Sequence, residues 1–107
     1  MNMNKKLLDN MLKQAQEMQD RMAKAQEEAA QKVVSASSGG NMVTVQMNGK
    51  QELFSIMIDP EIVKLGDIEM LQDLIVAAVN EGVRKSKEQM EEEMKGVTGG
   101  LSIPGLF

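Results

Sequence analysis

Apolar residues recur along the first third of the chain at Leu8, Met11, Ala15, Met18, Met22, Ala25 and Ala29, alternately three and four residues apart. That spacing is the a/d seam of a coiled coil, a narrow stripe suited to packing on another helix. From Asn4 to about Lys32 there is no Gly or Pro, and Leu, Met, Ala, Gln, Glu and Lys, all good helix formers, dominate. Around the rest of this first helix stand Asp9–Lys13, Glu17–Arg21, Asp20–Lys24 and Glu28–Lys32, each an acid four residues before a base. Such pairs contribute about 0.2–0.5 kcal/mol apiece to a helix.

At Lys32 the period changes. Val33–Ser37 leans to β structure, and Ser38-Gly39-Gly40-Asn41 reads as a turn. Met42–Met47 alternates with period two, and Asn48-Gly49 signals a type I′ hairpin in which both residues take positive φ. A third strand, Gln51–Ile58, places Phe54, Ile56 and Ile58 on one face and Leu53 and Met57 on the other. A meander apolar on both faces needs cover from more than one side. Asp59-Pro60 stops the sheet, and Asp67 caps a second helix from Ile68 to about Lys95. Its stripe, Leu71, Leu74, Ile75, Ala78, Val79, Gly82 and Val83, is thick enough to cover a sheet, then thins to Ser86, Met90 and Met94.

The predicted fold is therefore α+β: a helix, a three-stranded antiparallel sheet and a helix in one domain over residues 1–95. Residues 96–107 read as a Gly/Pro-containing tail, flexible by composition and apolar at its tip. A helix of about 28 residues is about 42 Å long, whereas a six-residue strand spans about 20 Å. Much of the first helix thus has no sheet to lie on and must find the second helix, a symmetry mate, or both. The surplus apolar surface, with Leu8, Met11, Ala15, Met18, Met22, Leu53 and Met57 as its seam, predicts a homodimer.

Composition narrows the function. The 107 residues include neither Cys nor His, which removes thiolate metal sites, disulfides and the commonest general base together. Ser35, Ser37 and Ser38 have no histidine to activate them, and the lysines lie on exposed helix faces. No enzyme activity and no cofactor are expected. The acids Glu91-Glu92-Glu93 and the run Asp59, Glu61, Asp67, Glu69, Asp73 lack calcium-loop spacing and read as solvated faces, so no metal site is expected either. Gly39-Gly40 and Gly99-Gly100 lack the context of a phosphate loop. No stretch suits a signal peptide or a membrane span, which predicts a cytoplasmic protein.

The net charge of −4 has the wrong sign for a simple nucleic-acid binder, and two Phe are the whole aromatic content. Base stacking is thereby disfavoured. The charges are uneven, however. Residues 59–83 set Lys64 alone against Asp59, Glu61, Asp67, Glu69, Asp73 and Glu81, whereas both helices are near neutral elsewhere. If the helices pack antiparallel, Lys5 and Lys6 fall close to Arg84, Lys85, Lys87 and Lys95.

In order and spacing, several segments resemble the YbaB/EbfC family of nucleoid-associated proteins. They are Met11–Gln19, Val43–Gly49, Ile58-Asp59-Pro60, Leu71–Asn80 and Gly99–Gly105. The resemblance implies a tweezer-like homodimer with helices projecting from a central sheet. It also implies a nucleoid location and binding to double-stranded DNA with low or modest sequence preference, contributing to nucleoid organisation and gene regulation. The DNA contacts it implies at matching places are Lys5, Lys6, Lys13, Arg21, Lys24, Arg84, Lys85 and Lys87. The competing expectation is a helical clamp that holds a protein partner through its seam or tail, with DNA binding incidental.

Overall fold

The structure, a computed structural model, describes residues 2–99, with side chains from Asn4 onward. The element order is α1 (Asn2–Gln31), β1 (Val34–Ser38), β2 (Val43–Met47), β3 (Leu53–Ile58), α2 (Pro60–Lys64) and α3 (Ile68–Thr98). The strands form an antiparallel sheet in the order β1-β2-β3. The α+β meander between two long helices is thus the predicted one, and the molecule is elongated, 78 × 23 × 16 Å. The second helix runs to Thr98, past the expected end near Lys95. The tail residues 100–107 lie outside the described residues.

α3 lies across β1 and β2. Ala36, Val43, Val45, Met47 and Ala78 form the buried core, with Leu71, Leu74, Ile75, Val79 and Val83 of α3 packed on it. Burying a Val or Met side chain contributes about 1.5–3 kcal/mol. Gly82 makes the close crossing possible, since a Cβ there would meet Met47 Cε at 2.6 Å. Ser38 Oγ donates to the Leu74 carbonyl at 2.6 Å and ties the end of β1 to the helix.

Three local expectations need correction. The loop after β2 is not a two-residue type I′ turn: neither Asn48 nor Gly49 has positive φ, and Gln51 does, at 60°. Asn48 Oδ1 instead accepts from the backbone N–H groups of Lys50 at 2.9 Å and Glu52 at 3.1 Å, closing a longer loop. Gly49 is needed for approach rather than for φ, because a Cβ on it would stand 2.1 Å from the Ala29 carbonyl oxygen. Tertiary contact with α1 overrides the local turn preference.

The register of β3 also differs. Val45 pairs with Ile56 and Gln46 with Ser55, but Met47 pairs with Leu53, so the strand bulges at Phe54. Directly opposed residues share a face, so Leu53 joins the face of Met47 and Ile56 instead of the face of Met57. The other face is then Ser35, Ser37, Thr44, Gln46, Ser55 and Met57, polar except for Met57. Finally, Asp59-Pro60 does more than end the sheet. Asp59 accepts from Glu61 N–H at 2.9 Å and Pro60 takes the first helical position, which starts the short α2.

Candidate nucleic-acid interface

α1 leaves the sheet region at a fixed junction. Gly49 N–H donates to the Ala30 carbonyl at 3.1 Å. The fully buried Ser86 donates through Oγ to Asn48 O at 2.8 Å and accepts from Gln51 Nε2 at 2.9 Å. Gln89 Nε2 reaches the Ala29 carbonyl at 3.4 Å, and Lys32 bridges to Glu93. The end of α1, the loop after β2 and α3 therefore meet here, and Ser86, Gln51, Gly49 and Gln89 set the direction in which α1 projects. Sequence reasoning missed these residues as positioning groups. The available signal was a small polar Ser86 on an otherwise apolar stripe.

This junction also sets how the two long helices overlap. They run antiparallel, with Ala29 beside Gln89, and Gly96 and Val97 border a hollow with Arg21, Lys24, Ala25 and Glu28. α3 is thus spent by the level of Arg21. The seam divides accordingly: Ala25 and Ala29 are buried, Met18 and Met22 half-buried, and Leu8, Met11 and Ala15 exposed. The expected proximity of Lys5 and Lys6 to Arg84, Lys85, Lys87 and Lys95 does not occur. Lys5 and Lys6 lie about 22–24 Å further along α1 than Arg21, beyond the reach of α3.

On α1 itself the candidates fall into a pattern. At about 100° per residue, Lys6, Lys13 and Lys24 lie within about 20° of one another, some 200° round from the buried Ala29. All three are exposed. They form a line down the side of the helix opposite its apolar stripe, spaced about 10 and 16 Å along the axis. Arg21 stands nearer α3, and Lys5 lies away from the line. The four predicted i,i+4 pairs of α1 are not among the ion pairs of the described residues, where Lys32 turns to Glu93 instead. From residue 5 to residue 13 the projecting helix carries Lys5, Lys6 and Lys13 against Asp9 alone.

The α3 candidates are differently placed. Arg84 is held between Glu81 and Glu88, with Nε 3.1 Å from Glu81 Oε2. The hydrogen bond to Glu81, then the charges of Glu81 and Glu88, raise the Arg84 pKa above its ordinary value. The Arg84 hydrogen bond lowers that of Glu81. Lys85 Nζ donates to the Ser35 carbonyl at 3.4 Å, and Lys87 is exposed. The acids Asp59, Glu61, Asp67, Glu69 and Asp73 stand on α2, its cap and the start of α3, at the other end of the molecule from the N-terminal half of α1. Among the described residues no group of three or more acids converges on a metal-sized site, and no helix is long and apolar enough to cross a membrane.

Comparison with known proteins bears on the family and the fold. The pattern of the YbaB/EbfC DNA-binding family matches residues 3–101. A nucleoid-associated protein of Syntrophobacter fumaroxidans is 56% identical over 97 residues, covering 91% of this chain and 88% of that protein. One of Thermoanaerobacter pseudethanolicus is 51% identical over 100 residues, covering 94% and 90%. Among solved structures, an uncharacterized protein, HP0035, of Helicobacter pylori superimposes with a TM-score of 0.67 at 27% identity, over 86% of this chain and 94% of that one.

Proposed function

The chain belongs to the YbaB/EbfC DNA-binding family, and on that premise we propose that it binds duplex DNA in the nucleoid as a homodimer, through the exposed lysine side of α1. Binding has low sequence preference and contributes to nucleoid organisation and gene regulation. The observation that carries this reading is the line Lys6, Lys13 and Lys24, exposed on the side of α1 opposite the seam and remote from the acidic belt. Lysines on one helix face contact phosphates, which position a protein on DNA without reading bases. Arg21 adds a contact beside the line, Lys5 one on a neighbouring side of the helix, and Lys87 one near the sheet. Arg84 and Lys85 are weaker contacts, because each already has a partner in the fold.

The dimer rests on β3. It is an edge strand that α3 does not cover, and Leu53, Phe54, Ile56, Met57 and Ile58 are 40, 56, 43, 64 and 37 % exposed. An open apolar edge of this kind invites pairing, and a second copy closes it. Two-fold symmetry then presents two α1 projections to one duplex. The same open surface favours the second reading, a clamp that holds a protein partner at β3 or at the α1 seam.

The test is a mobility-shift titration on duplexes of unrelated sequence at two salt concentrations. With Lys6→Glu, Lys13→Glu and Lys24→Glu combined, binding weakens about equally on every sequence. If all three contact phosphates in one protomer, the slope of log K against log salt also flattens by about 2.7. Asp67→Asn with Glu69→Gln leaves binding unchanged or slightly tighter. Undiminished binding by the triple variant overturns the α1 contact, and salt-independent binding favours the protein clamp.

A further inference from the structure

The apolar side of α1 is covered only in part. Ala25 and Ala29 are buried where α1 packs on α3, and Gly96 and Val97 of α3 are level with Arg21 and Ala25. Past that level the same side continues through Met18, Ala15, Met11 and Leu8, flanked by Leu7 and Leu12, and the described residues leave it open. Leu7, Leu8, Met11 and Leu12 are 60, 55, 57 and 61 % exposed. From Met18 to Asn4 the open stretch is about 21 Å long. Its three-four spacing is the one that packs helix on helix further along α1. We propose that it binds the same stretch of α1 from a second copy, antiparallel, about a two-fold axis near Asp9 and Asn10.

Sterics choose the orientation and the register. An occupant of this stretch lies in line with α3, so it must be a helix that stops short of the end of α3 at Thr98. A second α1 running parallel would continue into the space that α3 fills, and is excluded. Running antiparallel, it brings its own start towards Met18, while the rest of that copy lies clear beyond Asn4. With Leu8 opposite Met11 of the second copy, the helix start at Asn2 stands level with Glu17, just short of α3. The next seam offset, Leu8 opposite Met18, would drive Asn4 to the level of Met22 and into α3.

Chemistry agrees with that register. Leu8 and Met11 fill the centre from both copies, and Asn4 falls opposite the small Ala15. On the flanks Lys5 comes beside Leu12 and Leu7 beside Gln14, so no like charges are opposed and the Lys5 stem can lie on leucine. Lys6 and Lys13 point away from the axis and stay in solvent.

This contact is distinct from pairing at β3 and rests on neither that pairing nor the DNA-binding reading. The axis lies about 32 Å from the end of α1 at Gln31, so the two sheets it relates stand about 65 Å apart. Their β3 strands cannot touch. Where β3 pairs as well, each protomer has two different two-fold contacts, which join dimers into tetramers and longer chains. A seam of about two heptads is small beside a standard interface, so the association is weak and depends on concentration.

The chain has no cysteine, so cross-linking of the full-length protein without DNA is clean. Single-cysteine chains are mixed in two pairs: Leu8→Cys with Met11→Cys, and Lys6→Cys with Lys13→Cys, which stand at the same levels on the other side of the helix. A disulfide between chains should form about ten-fold faster or more in the first mixture, where the paired positions face each other. Equal rates overturn the proposal. Light scattering from micromolar to millimolar concentration repeats the test without cysteine, on Leu8→Gln with Met11→Gln, a change confined to exposed positions. At high concentration the parent should approach about twice the mass of this variant, or more. Equal masses throughout overturn the proposal and leave the stripe to a partner of another kind. A variant that stays dimeric retains β3 pairing, whereas a monomeric variant beside a dimeric parent removes the β3 reading and keeps the α1 contact.

Discussion

The orientation of α1 hangs on one missing side chain, and Gly49→Ala tests it. The added Cβ would stand 2.1 Å from the Ala29 carbonyl oxygen, 2.8 Å from its carbon and 3.0 Å from Ala30 Cα. All three are backbone atoms near the end of α1, so no rotamer change relieves the clash. An ordinary C···O contact is about 3.3 Å or more, so the loop and the helix must separate by about 1.2 Å. That separation breaks the hydrogen bond from Gly49 N–H to Ala30 O, worth about 1 kcal/mol net. It also loosens the packing of the buried Ala29 and Ala30, and strain of this kind costs about 1–3 kcal/mol. The expected destabilisation is therefore about 2–4 kcal/mol, or roughly 10–25 °C in Tm for a domain of this size. Thermal unfolding followed by circular dichroism at fixed protomer concentration reads it. DNA affinity measured well below the transition should fall too, although no lysine has changed, because the direction of the α1 projection has. A Gly49→Ala protein that melts within about 2 °C of the parent would refute the close approach and the account of how α1 is aimed.

Further expectations follow from the same contacts. Gly96→Ala, at a helical position with nothing within 4 Å of the new Cβ, should stabilise by about 0.5–1 kcal/mol, so its melting shift is opposite in sign to that of Gly49→Ala. Ser86→Ala removes the donor to Asn48 O and the acceptor of Gln51 Nε2 inside a fully buried site, and chemical denaturation should report a loss of about 1–3 kcal/mol. Met18→Asp and Met22→Asp place a charge on half-buried seam positions and lower Tm, whereas Glu17→Ala on the exposed side leaves it nearly unchanged. The folded-state pKa of Glu81 is depressed by Arg84, so its contribution to stability is present above its ordinary value of 4.5 and is lost as pH falls through the folded value. Arg84→Gln should remove that part of the acid sensitivity, read from melts between pH 3 and 6, while leaving DNA binding nearly intact.

The long elements were legible because their signals are repeated. Seven residues at strict three-four spacing identify α1, and the thick stripe from Leu71 to Val83 identifies the helix that covers the sheet. Single-residue signals fared differently according to what competes with them. Asp67 capped α3 as expected, because nothing contends for its side chain, which accepts from Met70 N–H at 3.0 Å. Asn48-Gly49 did not form the expected turn, because Gly49 is taken up by its contact with Ala29. Asp59-Pro60 carries two messages, a strand stop and a helix start, and only the first was read. The predicted i,i+4 pairs of α1 are not formed among the described residues, and Lys32 pairs with Glu93 instead, since exposed pairs gain little from holding two long side chains together. The candidate interface was the least legible part. Which lysines share a face follows from helical periodicity, but how far α1 projects depends on the overlap of α1 and α3. Ser86, Gly49 and Gln89 set that overlap through contacts between residues far apart in sequence.

An acidic chain that contacts DNA is not a contradiction once charge is considered by position. At physiological ionic strength a charge is screened beyond about 8 Å. Along α1, Lys13 is separated from the end of the helix at Gln31 by about 27 Å. The acids of α2 and early α3 lie beyond that end, so on the proposed reading they do not determine what a phosphate meets at residues 5–13. The total of −4 governs solubility and long-range approach, whereas on the proposed reading the local balance of Lys5, Lys6 and Lys13 against Asp9 governs contact. The same segregation limits the affinity. A few lysines per protomer neutralise few phosphates, so each α1 projection alone binds weakly and with strong salt dependence. On the proposed reading, useful affinity requires two projections on one duplex, and the open β3 edge is then as much a determinant of DNA binding as the lysines themselves.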